Sequence, residues 1–110
     1  MVETADVIND FVEVQAMFKG GMDAWYAYLK KNLDYPSQAR RMGTEGIVIV
    51  RFVVNTDGSI QDLEFLRTIG GGCDEEAKEV IGNSPNWTPG RIGGRAVRSR
   101  MTMPIRFRLN

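Results

Sequence analysis

The alternation of apolar and polar residues changes period several times along the chain, and each change marks an element. Met22, Trp25, Tyr26, Leu29 and Leu33 recur at spacings of three and four, so they share one face of a helix over residues 22–33. Lys30 and Lys31 fall in its last turn, where cations suit the helix dipole. Tyr35-Pro36 stops it, because the residue before a proline is pushed out of the helical region. A short helical turn over residues 37–42 follows, ended by Gly43. Residues 46–55 are nearly continuous in Ile, Val and Phe, which predicts a central strand buried on much of both faces. Asn55-Thr56-Asp57-Gly58 is a turn, and residues 59–68 return as the second strand of a hairpin. Leu63 and Phe65 share one face of it, but Ile60 is out of phase. A bulge or a late strand start is therefore expected.

Gly70-Gly71-Gly72-Cys73 reads as a flexible crossing into a second helix. Asp74, Glu75 and Glu76 suit that helix's positive start, Ala77, Val80 and Ile81 form its apolar stripe, and Gly82 and Pro85 end it. Residues 86–90 form a turn, and residues 91–95 with Gly93-Gly94 a second, loose loop. From about residue 96 to 109 the period is two. Val97, Met101, Met103, Ile105, Phe107 and Leu109 alternate with Arg98, Arg100, Thr102, Pro104, Arg106 and Arg108, the pattern of a strand with one buried face. Pro104 lacks an amide donor, which places this strand at a sheet edge. At the other end, Val7, Ile8, Phe11, Val12 and Val14 are apolar enough for a short strand or a packed arm, and Lys19-Gly20-Gly21 interrupts the chain after them.

The order helix, strand, strand, helix, strand predicts an α+β fold: two helices packed on one face of a three-stranded antiparallel sheet. The last strand pairs antiparallel with the central one, and the crossover to it is right-handed. A chain of 110 residues supports one such core. Residues 1–17 read as a linker end or packed arm, and residues 18–110 as one domain. Trp25 and Trp87 are assigned to the core. Ile47, Ile49 and Val53 point to the other sheet face, where the arm, a second copy or a partner should cover them.

Composition removes much chemistry. There is no histidine and one cysteine, Cys73, so histidine-dependent triads, histidine-ligated zinc and an intrachain disulfide are excluded. Gly70-Gly71-Gly72 lacks the spacing of a phosphate loop, and the acids behind it would repel phosphate. Asp57, Asp62, Glu64, Asp74, Glu75 and Glu76 could in principle pair for acid–base work or bind a cation. Asp62 and Glu64 are better matched to Arg51 or Arg67 across the sheet. We expect no enzyme, no cofactor and no metal.

The 14 basic and 14 acidic side chains cancel, but they are unevenly placed. The first 34 residues carry six acids against three lysines, and the stretch from Asn86 onward carries six arginines and no acid. The neutral total argues against a nucleic-acid partner. An arginine-studded edge strand instead fits an edge guarded from self-association by charge and proline, yet open to a chosen extended peptide.

Several short motifs stand in order: residues 18–24 (FKGGMDA), Tyr35-Pro36, Gly46-Ile47-Val48-Ile49-Val50, Asp57-Gly58-Ser59-Ile60, Gly70-Gly71-Gly72-Cys73-Asp74, Trp87-Thr88-Pro89-Gly90 and Met103-Pro104-Ile105-Arg106-Phe107. Together they resemble the C-terminal domain of TonB-family energy transducers, especially the Bacteroidetes-type branch, from about residue 11 to the end. The resemblance implies a periplasmic domain of an inner-membrane-anchored protein, excised here from its anchor and linker, working with an ExbB–ExbD motor. It implies capture of the TonB box of outer-membrane transporters by strand addition, for uptake of siderophores or other nutrients. The implied contact residues are Tyr35, Pro36, Val97, Arg98, Ser99, Arg100, Met101, Thr102 and Met103, with Asp34 standing where the family has glutamine. The alternative is a TonB-like interaction or dimerisation domain of a membrane-anchored sensor or envelope scaffold, with a homodimer formed through the open edge or the Ile47–Ile49–Val53 face.

Overall fold

A computed structural model describes residues 7–109. The elements run β1 (Ile8–Asn9), α1 (Gly21–Asn32), α2 (Ser37–Met42), β2 (Gly46–Val54), β3 (Ile60–Arg67), α3 (Cys73–Gly82), β4 (Gly90–Ile92) and β5 (Arg95–Phe107). The expected three-stranded antiparallel unit is present, with β2 between β5 and β3. The full sheet is mixed and has five strands, because β1 and β4 also pair with β5. Among the described residues no helix is long and apolar enough to cross a membrane.

The nine residues of β2 keep unbroken register with β5, from Gly46↔Phe107 to Val54↔Ser99. Partners across a ladder share a face, so Val48 with Ile105, Val50 with Met103 and Phe52 with Met101 form one layer. Nearly all of that layer is buried, Met101 alone lying half-buried. The predicted irregularity in β3 is a bulge. Arg51 pairs with Glu64 and Val53 with Gln61, so two β3 residues oppose one on β2. Asp62, at φ 56°, takes the extra position. That step brings Ile60 back onto the core side, opposite Val54.

The helices close the layer with aromatic packing. Phe18, Trp25, Phe52 and Trp87 are buried, and their ring centroids lie 5.2–5.5 Å apart in the recorded contacts. Both tryptophans are thus core, as expected. Tyr28 joins them and ties α1 to α3 through its hydroxyl, which donates to Val80 O at 2.7 Å. Cys73 is buried at the start of α3, where burial first and then the acidic neighbours push its thiol pKa up.

Two loops are tighter than expected. The triple glycine is wrapped on Asp74, whose carboxylate accepts from the amides of Ile69 and Gly70 at 2.9 Å each. The supposed loose loop at residues 91–95 is a hairpin. Ile92 pairs with Arg95, and Gly93 and Gly94 both take positive φ, 59° and 77°. A two-residue turn of that hand matches strand twist and suits two glycines. Part of the first segment pairs with the domain. Val14 bridges Arg91 and Met17 bridges Thr88, Ala16 is fully buried, and β1 runs parallel to β5 at Arg98–Ser99.

Candidate functional site

Pro104 orients the whole of β5. It has no N–H, yet it is in register with Ile49. Such a pair must be a non-hydrogen-bonded one, with the bonds made by Val48↔Ile105 and Val50↔Met103 on either side. Odd-numbered residues of β5 therefore turn their backbone groups toward β2, and even-numbered residues turn theirs outward. Asn9 bears this out from the other side, since its Nδ2 donates to Arg98 O at 3.0 Å. The outward row is Arg98, Arg100, Thr102, Pro104 and Arg106. β1 stands against it at Arg98–Ser99. Beyond that pairing no strand among the described residues faces the outer edge, which leaves roughly 20 Å free over residues 102–107 at about 3.3 Å per residue.

Alongside the open stretch runs a groove of about 670 Å³, lined by Tyr26, Leu29, Lys30 and Leu33 of α1 and by Ile47, Pro104 and Arg106. Its walls combine apolar side chains with two cations, and neither Lys30 nor Arg106 has an ion-pair partner among the described residues. Ile47 of the second sheet face thus lies in this groove, half-buried, while Val53 of that face is 3% exposed.

The predicted contact residues divide by parity. Arg98, Arg100 and Thr102 carry outward backbone groups. Arg98 Nε donates to Asn55 Oδ1 at 3.0 Å, and Asn55 is in turn held by Ser59 and Gln61 at 3.1 Å each. Arg100 pairs with Asp10 at 3.0 Å. Ser99 and Met103 are buried, and Val97 and Met101 half-buried, and as odd-numbered residues these four turn their backbone groups away from the outer edge. Tyr35 and Pro36 stand at the other end of β5. The Tyr35 ring meets Phe107 edge-on at 5.6 Å, Arg40 lies over it at 5.6 Å, and its hydroxyl donates to Thr44 O. Burial pushes that hydroxyl's pKa up. The structure thus brings Arg98, Arg100 and Thr102 onto one edge and sets Tyr35 and Pro36 apart near Phe107. Sequence reasoning missed Lys30, Tyr26 and Arg106 as neighbours. The one signal was an α1 face wider than a single apolar stripe.

Among the described residues several of the candidate acids have separate partners. Glu64 pairs with Arg51, Asp57 accepts from Ser59, Glu76 from the Asp34 amide, and Asp74 from its own loop. Among the described residues no group of His, Cys, Asp and Glu could hold a metal ion.

Residues 31–109 match the family of Gram-negative bacterial TonB protein C-terminal domains. The chain belongs to the TonB C-terminal domain family. The match takes in α2, β2, β3, α3, β4 and β5, and leaves the arm and most of α1 outside it. Among solved structures, the chain is similar to the Pseudomonas aeruginosa TonB C-terminal domain, with 28% identity over 70% of this chain and 78% of that one, at TM-score 0.56. The Helicobacter pylori TonB C-terminal domain, residues 179–285, shares the fold at 23% identity and TM-score 0.54, over 77% of each chain. No curated protein matches the sequence. TonB C-terminal domains are non-catalytic interaction domains of the periplasm, and the family interacts with outer-membrane transporters.

Proposed function

We propose that this TonB C-terminal domain captures the TonB box of an outer-membrane transporter as an added strand on the outer edge of β5. In this reading an inner-membrane anchor and an ExbB–ExbD motor drive active uptake through that contact. The observation that carries the reading is the outward backbone row of β5, which no strand among the described residues pairs from Thr102 onward and which the α1 groove walls. Backbone pairing supplies affinity with little demand on sequence, and alternate side chains supply selectivity. Arg98, Arg100 and Thr102 act through the edge itself, and Lys30 and Arg106 favour a peptide bearing carboxylates. Tyr35 and Pro36 shape the Phe107 end of the same strand, while Val97, Ser99, Met101 and Met103 hold it flat against the core.

The test is an NMR titration of the labelled domain with synthetic TonB-box peptides. Shifts concentrated on Arg100, Thr102 and Arg106 and on the facing side of α1 support strand addition. Shifts confined to β3 or α3, or none with any box, refute it.

A further inference from the structure

The outer edge of β5 is already partly occupied by the chain itself. Ile8 and Asn9 pair in parallel with Arg98 and Ser99. The Asn9 side chain donates to Arg98 O at 3.0 Å, and the Asp10 carboxylate meets Arg100 at 3.0 Å. These are the interactions an incoming acidic strand would make: one backbone ladder, one bond to an outward carbonyl, and one carboxylate on an outward arginine. We propose that residues 7–10 are an internal stand-in for the partner strand, holding the Arg98–Arg100 part of the edge until a partner displaces them. The inference rests on the reading that β5 receives a partner strand.

The arm is built to let go without unravelling the domain. Its pairing is two residues long, and its ion pair is exposed on both sides, at 39% and 62%. Surface pairs of that kind hold weakly and are screened by salt. The root of the arm is fixed by contrast. Val14 and Arg91 exchange backbone bonds of 3.0 and 2.9 Å, Met17 and Thr88 exchange bonds of 3.0 and 2.8 Å, and Ala16 is fully buried. Between the weak tip and the fixed root stands Phe11, 90% exposed, so no core contact of its side chain has to break when the tip leaves. A partner strand can begin at the open Thr102–Arg106 stretch and then compete with residues 7–10 for the rest. While the arm is on, the apparent affinity for a strand covering the whole edge falls by the fraction of molecules with the edge free.

The test uses the full chain carrying Asn9→Pro and Asp10→Lys, which removes the ladder donor, the side-chain bond and the ion pair. Asp10→Lys alone serves as a milder second variant. The double variant should keep the parent's melting transition and lose hydrogen-exchange protection at the amides of Arg98 and Arg100. It should bind TonB-box peptides roughly three- to tenfold more tightly than the parent, with the single variant between. Unchanged protection at Arg98 and Arg100, or box affinity equal to or below the parent's, overturns the inference while leaving strand capture standing. If no box peptide binds either protein, the transporter reading fails. The inference is then judged with a synthetic peptide of residues 6–13, added in trans. Shifts at Arg98–Arg100 in the double variant, weaker in the parent, sustain it, and their absence overturns it.

Discussion

Proline substitutions at two adjacent positions of β5 should have opposite consequences. Met103 is 4% exposed and forms a hydrogen-bonded pair with Val50. Met103→Pro removes a ladder donor and leaves a buried carbonyl unpaired, at a cost of about 1–3 kcal/mol. It also truncates a core side chain, at a cost of about 2–5 kcal/mol. The total, roughly 3–8 kcal/mol, rivals the whole stability of a domain this size, about 5–15 kcal/mol. Thr102 is exposed, and its N–H points away from β2. Thr102→Pro loses no ladder bond, and the narrowing of φ is partly offset by a stiffer unfolded chain, so its cost stays within about 1 kcal/mol. Native Pro104 shows that β5 accepts proline at this parity. In urea, with a slope of about 1–3 kcal/mol per molar, the Thr102→Pro midpoint should fall by less than roughly 1 M. Met103→Pro should be largely unfolded before denaturant is added. The folded Thr102→Pro protein should nonetheless bind TonB-box peptides at least about tenfold more weakly, a loss of about 1.4 kcal/mol, because an edge donor is gone and the ring stands in the strand's path. Equal destabilisation by the two prolines would refute the assignment of inward and outward residues on which the site is built.

Three further outcomes follow from single contacts. Among the described residues Ser99 Oγ is buried without a hydrogen-bond partner, so Ser99→Ala should stabilise by about 1 kcal/mol, read as a rise in Tm of roughly 3–5 °C; a fall would show that the hydroxyl is satisfied in solution. Gly58 sits at φ 87° with a Cβ position 2.2 Å from Trp87 O, so Gly58→Ala should cost at least about 2 kcal/mol, and a near-neutral denaturation curve would contradict the turn. The Asp57 carboxyl is held below its ordinary value by bonds from the Ser59 hydroxyl and amide. A depressed folded pKa gives stability that is present above the unfolded value of 3.8 and lost as pH falls through the folded one. Asp57→Asn should therefore lower Tm at neutral pH and change little once the pH lies below the folded value, so that the acid side of a Tm-against-pH curve flattens.

Much of this fold is legible because its longest strands carry a period that only one face assignment satisfies. The alternation from Val97 to Phe107 identified the buried side of β5, and Pro104 alone marked its edge. The out-of-phase Ile60 anticipated the β3 bulge, since a slip of one residue moves a side chain to the other face. What escaped reading is short or distant. β4 is three residues long, too brief to show a period, so its hairpin read as a loop despite two adjacent glycines. β1 pairs with a strand 89 residues away, and two residues carry no register of their own. Within the site, the division between outward Arg98, Arg100 and Thr102 and inward Ser99 and Met103 was implicit in the alternation. Tyr35 was not legible in the same way, because its neighbours Phe107, Arg40 and Thr44 meet only in the folded chain. Lys30 and Arg106 come together across the groove from α1 and β5, and nothing in their spacing joins them.

Titration of the labelled domain with TonB-box peptides, followed at every backbone amide, tests the account most directly. The account predicts shifts at Arg100, Thr102 and Arg106, spreading to Tyr26, Leu29 and Lys30 and reaching Arg98 as residues 7–10 leave the edge. A folded domain whose β5 amides stay in place with every box, or whose shifts gather on β3, would contradict it.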